Sequence, residues 1–173
     1  GLDCYQHCLP LKKQIGYLAD EPFMYKELSG WEYLRFAGDV HEIPRSTLWP
    51  RMEALLSMFK LDAAARQMVR TYSHGMKRKL GLCLALLHRP SVLILDEPLS
   101  GLDLDATHEL RRALTDMRER EKLTILMSTH NLGMIQTYSS RIHIIHEGRV
   151  QQSATPGELA CRVSARGCPV FPR

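Results

Sequence analysis

Two adjacent carboxylates, Asp96 and Glu97, follow a run of four apolar residues at 92–95. Carboxylate oxygens are ligands that Mg²⁺ prefers, and a carboxylate can also accept a proton from an attacking water molecule. Two acids directly after a buried strand are costly unless they face a crevice that can hold a cation. A plain strand end that runs into a polar loop would give the same residues, so the pair alone leaves both interpretations open.

A serine and a glycine, Ser73 and Gly75, stand at the predicted start of a helix that extends to Leu87. The Ser73 hydroxyl can cap the free backbone amides of the first helical turn. Together with the positive end of the helix, this hydroxyl and these amides form a site that suits an anion. A simple helix cap explains Ser73 by itself, but not its position 23 residues before Asp96.

Polar residues also follow two other apolar runs. His130 comes after the run at 123–127, where an imidazole could bond to a phosphate and orient reacting groups. A lone histidine at a strand end is more often structural.

Asp20 lies in a turn after the strand-like run at 15–18. The segment 100–103 by itself indicates an ordinary turn before a helix.

The elements that would position these side chains alternate between strands and helices. Apolar runs predict strands at 15–18, 91–95 and 123–127, and the last two are expected to be buried. Helical periods predict helices at 73–87 and 105–120. This alternation favours an α/β fold with a mainly parallel sheet.

A second helical region precedes these elements. Helical periods dominate from 31 to 60, with Met52, Leu55, Leu56 and Phe59 on one face of an amphipathic helix. We therefore predict an inserted helical subdomain at about 29–69. Further along the chain, two short strands are predicted around the turn at 147–148, and the tail at 161–173 has no periodicity and is expected to be loose.

The composition of the 173 residues is ordinary for a globular domain, with 45% apolar residues, 24% charged residues and a formal net charge of +4. The basic residues are scattered, apart from Lys77-Arg78-Lys79 and Arg111-Arg112, which we interpret as solvated helix faces. No nucleic-acid partner is therefore predicted. No apolar run approaches the roughly 18–20 residues that cross a bilayer, so a role at a membrane is expected to need a partner.

The order and spacing of four motifs resemble the catalytic half of an ABC transporter ATP-binding subunit, most like those that serve exporter-type permeases. The motifs are Ser73-His74-Gly75-Met76, Asp96-Glu97-Pro98, Ser100-Gly101-Leu102-Asp103 and Ser128-Thr129-His130. The first commonly reads Ser-Gly-Gly-Gln in that family, so His74 and Met76 depart from it. The phosphate loop Gly-x-x-x-x-Gly-Lys-[Ser/Thr] does not occur in these 173 residues. We expect a phosphate-loop NTPase-like domain over 1–160 that is incomplete at its N-terminus.

The resemblance implies ATP and Mg²⁺ as cofactors and gives roles to four residues of the catalytic half. Glu97 would be the general base, Asp96 would hold Mg²⁺, and His130 would be the switch histidine. Asp20 stands where the family normally presents a glutamine to Mg²⁺, so it would be a second metal ligand.

The resemblance also implies partners. Ser73 and Gly75 would serve the nucleotide of a second subunit in a head-to-tail homodimer or heterodimer, and Ser100, Gly101, Leu102 and Asp103 would cross that interface. The surface from Asp20 to about Trp49 would contact a membrane permease, which would hold the protein at the cytoplasmic face of the cell membrane.

Two alternatives stay open at this point. The chain could be a non-catalytic fragment or a regulatory remnant that pairs with an intact subunit, or it could be a soluble ABC ATPase that works outside transport. The phosphate-loop amides and lysine supply much of the charge stabilisation of a bound triphosphate. The 173 residues by themselves are therefore expected to bind ATP very weakly.

Overall fold

The computed structural model describes residues 3, 5–102, 104–130 and 139–159. The chain divides into two compact units, Gly1–Ser128 and Thr129–Arg173. The described elements of the first unit are α1 (Cys8–Lys12), β1 (Ile15–Leu18), α2 (Gly30–Val40), α3 (Arg45–Met58), α4 (His74–Leu86), β2 (Val92–Asp96), α5 (Leu104–Glu121) and β3 (Thr124–Ser128). Those of the second unit are β4 (Ile142–His146) and β5 (Arg149–Ala154).

The sheet of the first unit is parallel throughout its described part, with the strand order β1-β2-β3. Val92 is in register with Ile15 on one side and with Thr124 on the other, and Asp96 is in register with Ser128. The carboxyl ends of all three strands therefore meet at one edge of the sheet. This confirms the predicted α/β fold with a mainly parallel sheet.

The helices between β1 and α4 form for reasons that are visible in the sequence. A capping box starts α2, because the Ser29 hydroxyl accepts a hydrogen bond from the Glu32 amide at 3.2 Å and the Glu32 carboxylate accepts one from the Ser29 amide at 2.9 Å. The predicted apolar face of α3 is confirmed, since Met52, Leu55 and Leu56 are all buried. The boundary of a helical subdomain at about 29–69 stays a prediction.

Two expectations about burial were wrong. The run at 123–127 was expected to be a buried strand, but the Leu126 side chain in β3 is 58% exposed, because Ile125 and Met127 pack against the core and Leu126 points to the opposite face. The triplet at 77–79 was expected to lie on a solvated helix face, but Arg78 is only 1% exposed. Its guanidinium finds acceptors in two neighbouring segments, which are described below.

The second unit contains an antiparallel pair, in which β4 and β5 flank a turn at Glu147 and Gly148 with φ angles of +50° and +72°. This pair agrees with the two strands predicted around that turn. The predicted loose tail at 161–173 lies outside the described residues. Across the part of the chain that is described, no helix combines the length and the apolar character needed to cross a membrane.

Candidate functional site

The carboxyl edge of the sheet brings Asp96 and Ser128 together. They are the last residues of β2 and β3 and are paired in register. The Ser128 hydroxyl donates a hydrogen bond to Oδ1 of Asp96 at 2.6 Å, and the Ser128 hydroxyl oxygen accepts a hydrogen bond from the Glu97 amide at 3.1 Å. Ser128 thus orients the Asp96 carboxylate and holds the peptide that follows it. Sequence reasoning included Ser128 in a motif but gave it no role.

The backbone of Glu97 has a positive φ angle of +43°, in the left-handed region that non-glycine residues rarely adopt. Five other non-glycine residues of the described chain share a positive φ, but Glu97 is the one at the end of β2. Hydrogen bonds hold this conformation at both backbone groups: the amide donates to Ser128, and the carbonyl oxygen accepts from the Ser100 amide at 3.1 Å and from the Arg78 guanidinium. A strained backbone of this kind persists only where several neighbouring groups hold it in place, and it is often found at functional sites.

Arg78 joins the ends of two strands. Its Nη1 donates to the carbonyl oxygen of Glu97, after β2, and its Nη2 donates to the carbonyl oxygen of Asp20 and, at 2.8 Å, to Oδ1 of Asp20, after β1. Sequence reasoning missed this residue. One signal was available, because Arg78 lies four residues before Leu82 and seven before Ala85, on the buried stripe of α4.

The start of α4 contacts the loop that follows Glu97. Ser73 caps this helix by accepting a hydrogen bond from the Met76 amide at 3.2 Å. A Cβ atom at Gly75 would lie 3.4 Å from Leu102, and one at Gly101, whose φ angle is +69°, would lie 3.3 Å from the His74 ring. Two predicted segments, 73–76 and 100–102, are therefore neighbours. Asp103 lies outside the described residues.

A cavity of about 460 Å³ lies between the segment after β1 and the start of α4. Its lining residues are Glu21, Pro22, Phe23, Met24, Lys26, His74, Lys77 and Arg78. Three of the four charged groups are cationic, so the cavity is positively charged overall.

An aromatic cluster lies on the surface beside this cavity. Phe23 is 79% exposed and meets Tyr25 edge to face, with ring centroids 5.4 Å apart. Tyr25 in turn packs edgewise on Tyr33 and Phe36 of α2. The surface from Asp20 to about Trp49 is the one expected to contact a permease. Some of its aromatic groups therefore pack against α2, and others are exposed.

The remaining predicted residue, His130, belongs to the second compact unit, and its role stays a prediction. Within the described residues, no group of three or more histidine, cysteine, aspartate or glutamate side chains could hold a metal ion. Mg²⁺ usually takes only one or two protein carboxylates and keeps several waters. The Asp96 carboxylate at the end of β2 therefore fits Mg²⁺ as part of a ligand set that water completes.

Comparison with known proteins adds independent information. The model of a family described as "AAA domain, putative AbiEii toxin, Type IV TA system" matches residues 34–135. The chain is 36% identical over 152 residues to an uncharacterized ABC transporter ATP-binding protein of Nostoc sp., covering 86% of this chain and 45% of that protein. It is 33% identical over 138 residues to the lantibiotic transport ATP-binding protein SrtF of Streptococcus pyogenes, covering 80% and 58%.

A solved structure described as the ATP-binding subunit of an ABC transporter superposes with a TM-score of 0.84 at 30% identity. The superposition covers 98% of this chain and 70% of that chain. The chain thus spans about half the length of the curated relatives that it matches.

Proposed function

The chain belongs to the ATP-binding proteins of ABC transporters, and on that premise we propose that it contributes the catalytic carboxylates of an ATPase that drives transport through a membrane permease. The observation that carries the proposal is the arrangement at the end of β2, where Ser128 orients the Asp96 carboxylate and accepts a hydrogen bond from the backbone amide of Glu97. The Glu97 backbone is also held from two distant segments, by Ser128 and by Arg78, which favours an ordered catalytic site over an ordinary strand end.

Each carboxylate would do separate work. Asp96 would hold Mg²⁺, and the ion would offset the negative charge of the ATP phosphates. Asp20, with one carboxylate oxygen already accepting from Arg78, would contribute to the same ion through the other. Glu97 would accept the proton of the attacking water molecule, and His130 would orient the γ-phosphate.

The start of α4 would serve a second subunit. The Ser73 hydroxyl, the Gly75 amide and the positive end of the helix suit the phosphates of a nucleotide bound by that partner. The contact between His74 and Gly101 supports a common surface with the loop Ser100, Gly101, Leu102 and Asp103. This surface would face the second ATP-binding subunit of a homodimer or heterodimer.

The aromatic cluster around Phe23 and Tyr25 would contact the permease, because exposed aromatic groups are enriched at protein interfaces. The protein would then act at the cytoplasmic face of the membrane. The printed name of SrtF assigns it to lantibiotic transport. Export, ATP hydrolysis and the absence of a nucleic-acid partner stay predictions.

ATP-dependent association tests the proposal. Because the 173 residues contain no phosphate loop, the experiment uses a version that carries a phosphate-loop segment ahead of residue 1. A Glu97→Gln change in this version should slow hydrolysis and trap bound ATP. Light scattering after size exclusion should show a dimer with Mg-ATP and a monomer without it. A monomer under both conditions, at ATP concentrations that saturate binding, would contradict the proposed dimer.

A further inference from the structure

Arg78 is the one fully buried cation of the described core, with 1% of its surface exposed. A buried guanidinium costs several kcal/mol of desolvation unless its donors are matched. Both terminal nitrogens of Arg78 have acceptors, whereas its Nε is buried with no hydrogen-bond partner among the described residues. A buried cation with one unpaired donor contributes little to the stability of a fold. The role of Arg78 is therefore sought in the groups that its two terminal nitrogens bind.

These two nitrogens hold the two turns that leave the catalytic edge of the sheet. The acceptors on Asp20 lie 58 residues away in sequence, and the acceptor on Glu97 lies 19 residues away. The guanidinium is planar and rigid, so its two terminal nitrogens keep a fixed separation. A displacement of the Asp20 turn would therefore move the Arg78 guanidinium and, with it, the hydrogen bond to the Glu97 carbonyl.

The Glu97 carbonyl is a sensitive position. The Glu97 φ angle of +43° is uncommon, and its carbonyl oxygen also accepts from the Ser100 amide. If Arg78 moves, the peptide after Glu97 can rotate, and the hydrogen bond from Ser100 is weakened. The backbone that carries the proposed general base would then change conformation.

We propose that Arg78 is a positioning residue, which couples the Asp20 turn to the backbone of Glu97. Asp20 acts in this pair as the counter-charge that sets the orientation of the guanidinium. The inference rests on the proposed function only in treating Glu97 as the general base. The physical coupling between the two turns exists without nucleotide.

The test is a double-mutant cycle read by hydrogen exchange of backbone amides, on the 173-residue chain without nucleotide. Asp20→Ala removes the carboxylate that pairs with Arg78. Arg78→Lys keeps the positive charge but removes the pair of terminal nitrogens that binds both turns at once. We expect Asp20→Ala to raise the exchange rate at the Ser100 amide about tenfold, the scale of one charge-assisted hydrogen bond, although the hydrogen bonds described for Asp20 go to Arg78 and not to that segment. In the Arg78→Lys background, Asp20→Ala should add nothing there.

The matched control is Lys79→Gln, which removes the neighbouring cation of α4 and its 3.0 Å ion pair with Glu109. This change should leave exchange at Ser100 unaltered. An unchanged Ser100 rate in Asp20→Ala would overturn the proposal, because the two turns would then be independent. An equal increase in the parent and in the Arg78→Lys background would also overturn it, because the effect would not pass through Arg78.

A kinetic measurement separates this inference from the proposed function. In the version with a phosphate loop, Arg78→Lys should lower kcat, whereas Lys79→Gln should leave it unchanged. An unchanged kcat in Arg78→Lys would contradict a role for Arg78 in positioning Glu97. If the parent of this series does not hydrolyse ATP at all, the proposed function fails, and the exchange experiment still decides the coupling.

Discussion

The Ser128 hydroxyl lies 2.6 Å from Oδ1 of Asp96, and the two residues are register partners at the ends of parallel strands. This contact spans 32 residues of sequence and fixes one oxygen of the carboxylate. The same hydroxyl accepts a hydrogen bond from the Glu97 amide, so one small side chain holds the Asp96 carboxylate and the backbone of Glu97.

Replacement of Ser128 by alanine should therefore lower stability. Both hydrogen bonds are lost, but the site is exposed and water can replace them, so the expected loss is about 0.5–1.5 kcal/mol. Urea denaturation of the 173-residue chain measures it. Ser91→Ala is the matched control, because the Ser91 hydroxyl makes only a 3.4 Å contact with the Gln14 carbonyl. An equal loss in both variants would contradict the role of Ser128.

The packing of β1 on α4 predicts a large effect at Gly16. A Cβ atom there would lie 2.2 Å from the carbonyl oxygen of Ala85, which is backbone and cannot rotate away. Gly16→Ala should destabilise the chain by about 1–3 kcal/mol through overpacking. Gly157→Ala is the control, since a Cβ atom at Gly157 would meet nothing within 4 Å among the described residues. Thermal unfolding compares the two, and a neutral Gly16→Ala variant would show that β1 and α4 are not packed this closely.

The rings of His41 and His88 stack in parallel, with centroids 4.1 Å apart. Burial lowers the pKa of both groups below the ordinary value of 6.5, with His41 adding to the effect on His88 and Lys13 to that on His41. The unfolded chain therefore binds protons before the folded chain does, and the free energy of unfolding should fall as pH drops below about 6.5. The full stability contribution is present above that pH.

The variant His41→Phe keeps a flat ring against His88 and removes one titrating group. We expect a shallower loss of stability between about pH 6.5 and pH 5, measured by denaturation in urea at each pH. His108→Gln, at an exposed histidine of α5, is the control. A slope equal to that of the parent in His41→Phe would contradict this account of the stacked pair.

The aromatic cluster predicts that permease binding can be lost without loss of the fold. Phe23 is 79% exposed, so Phe23→Glu should leave the fold intact while it places a charge on the proposed permease surface. In the version with a phosphate loop, this change should abolish co-purification with the permease. Ile145→Glu, a 64% exposed apolar residue of β4, is the matched control. Undiminished recovery of the permease with Phe23→Glu would remove this surface from the interface.

Sequence patterns predicted the strands and helices well, because apolar runs and helical periods depend on local residues. They also located Asp96 and Glu97, since adjacent acids after an apolar run carry a local signal. They misjudged Arg78, because a Lys-Arg-Lys triplet suggests solvent and the acceptors of Arg78 come from distant turns. The sequence did not predict the left-handed backbone of Glu97, since this conformation depends on a hydrogen bond to Ser128 and one from Arg78 rather than on the residue type.

The most direct test of the central claim is the rate of Mg-ATP hydrolysis with and without the Glu97 carboxylate. Parent and Glu97→Gln versions, each with a phosphate loop ahead of residue 1, are compared at saturating ATP. Glu119→Gln is the control, because it neutralises a 67% exposed carboxylate of α5. Loss of a general base typically costs about 10²–10⁴-fold in rate, so we predict a loss in that range for Glu97→Gln with ATP affinity retained. A rate within about twofold of the parent, far outside that range, would contradict the assignment of Glu97 and with it the proposed catalytic site.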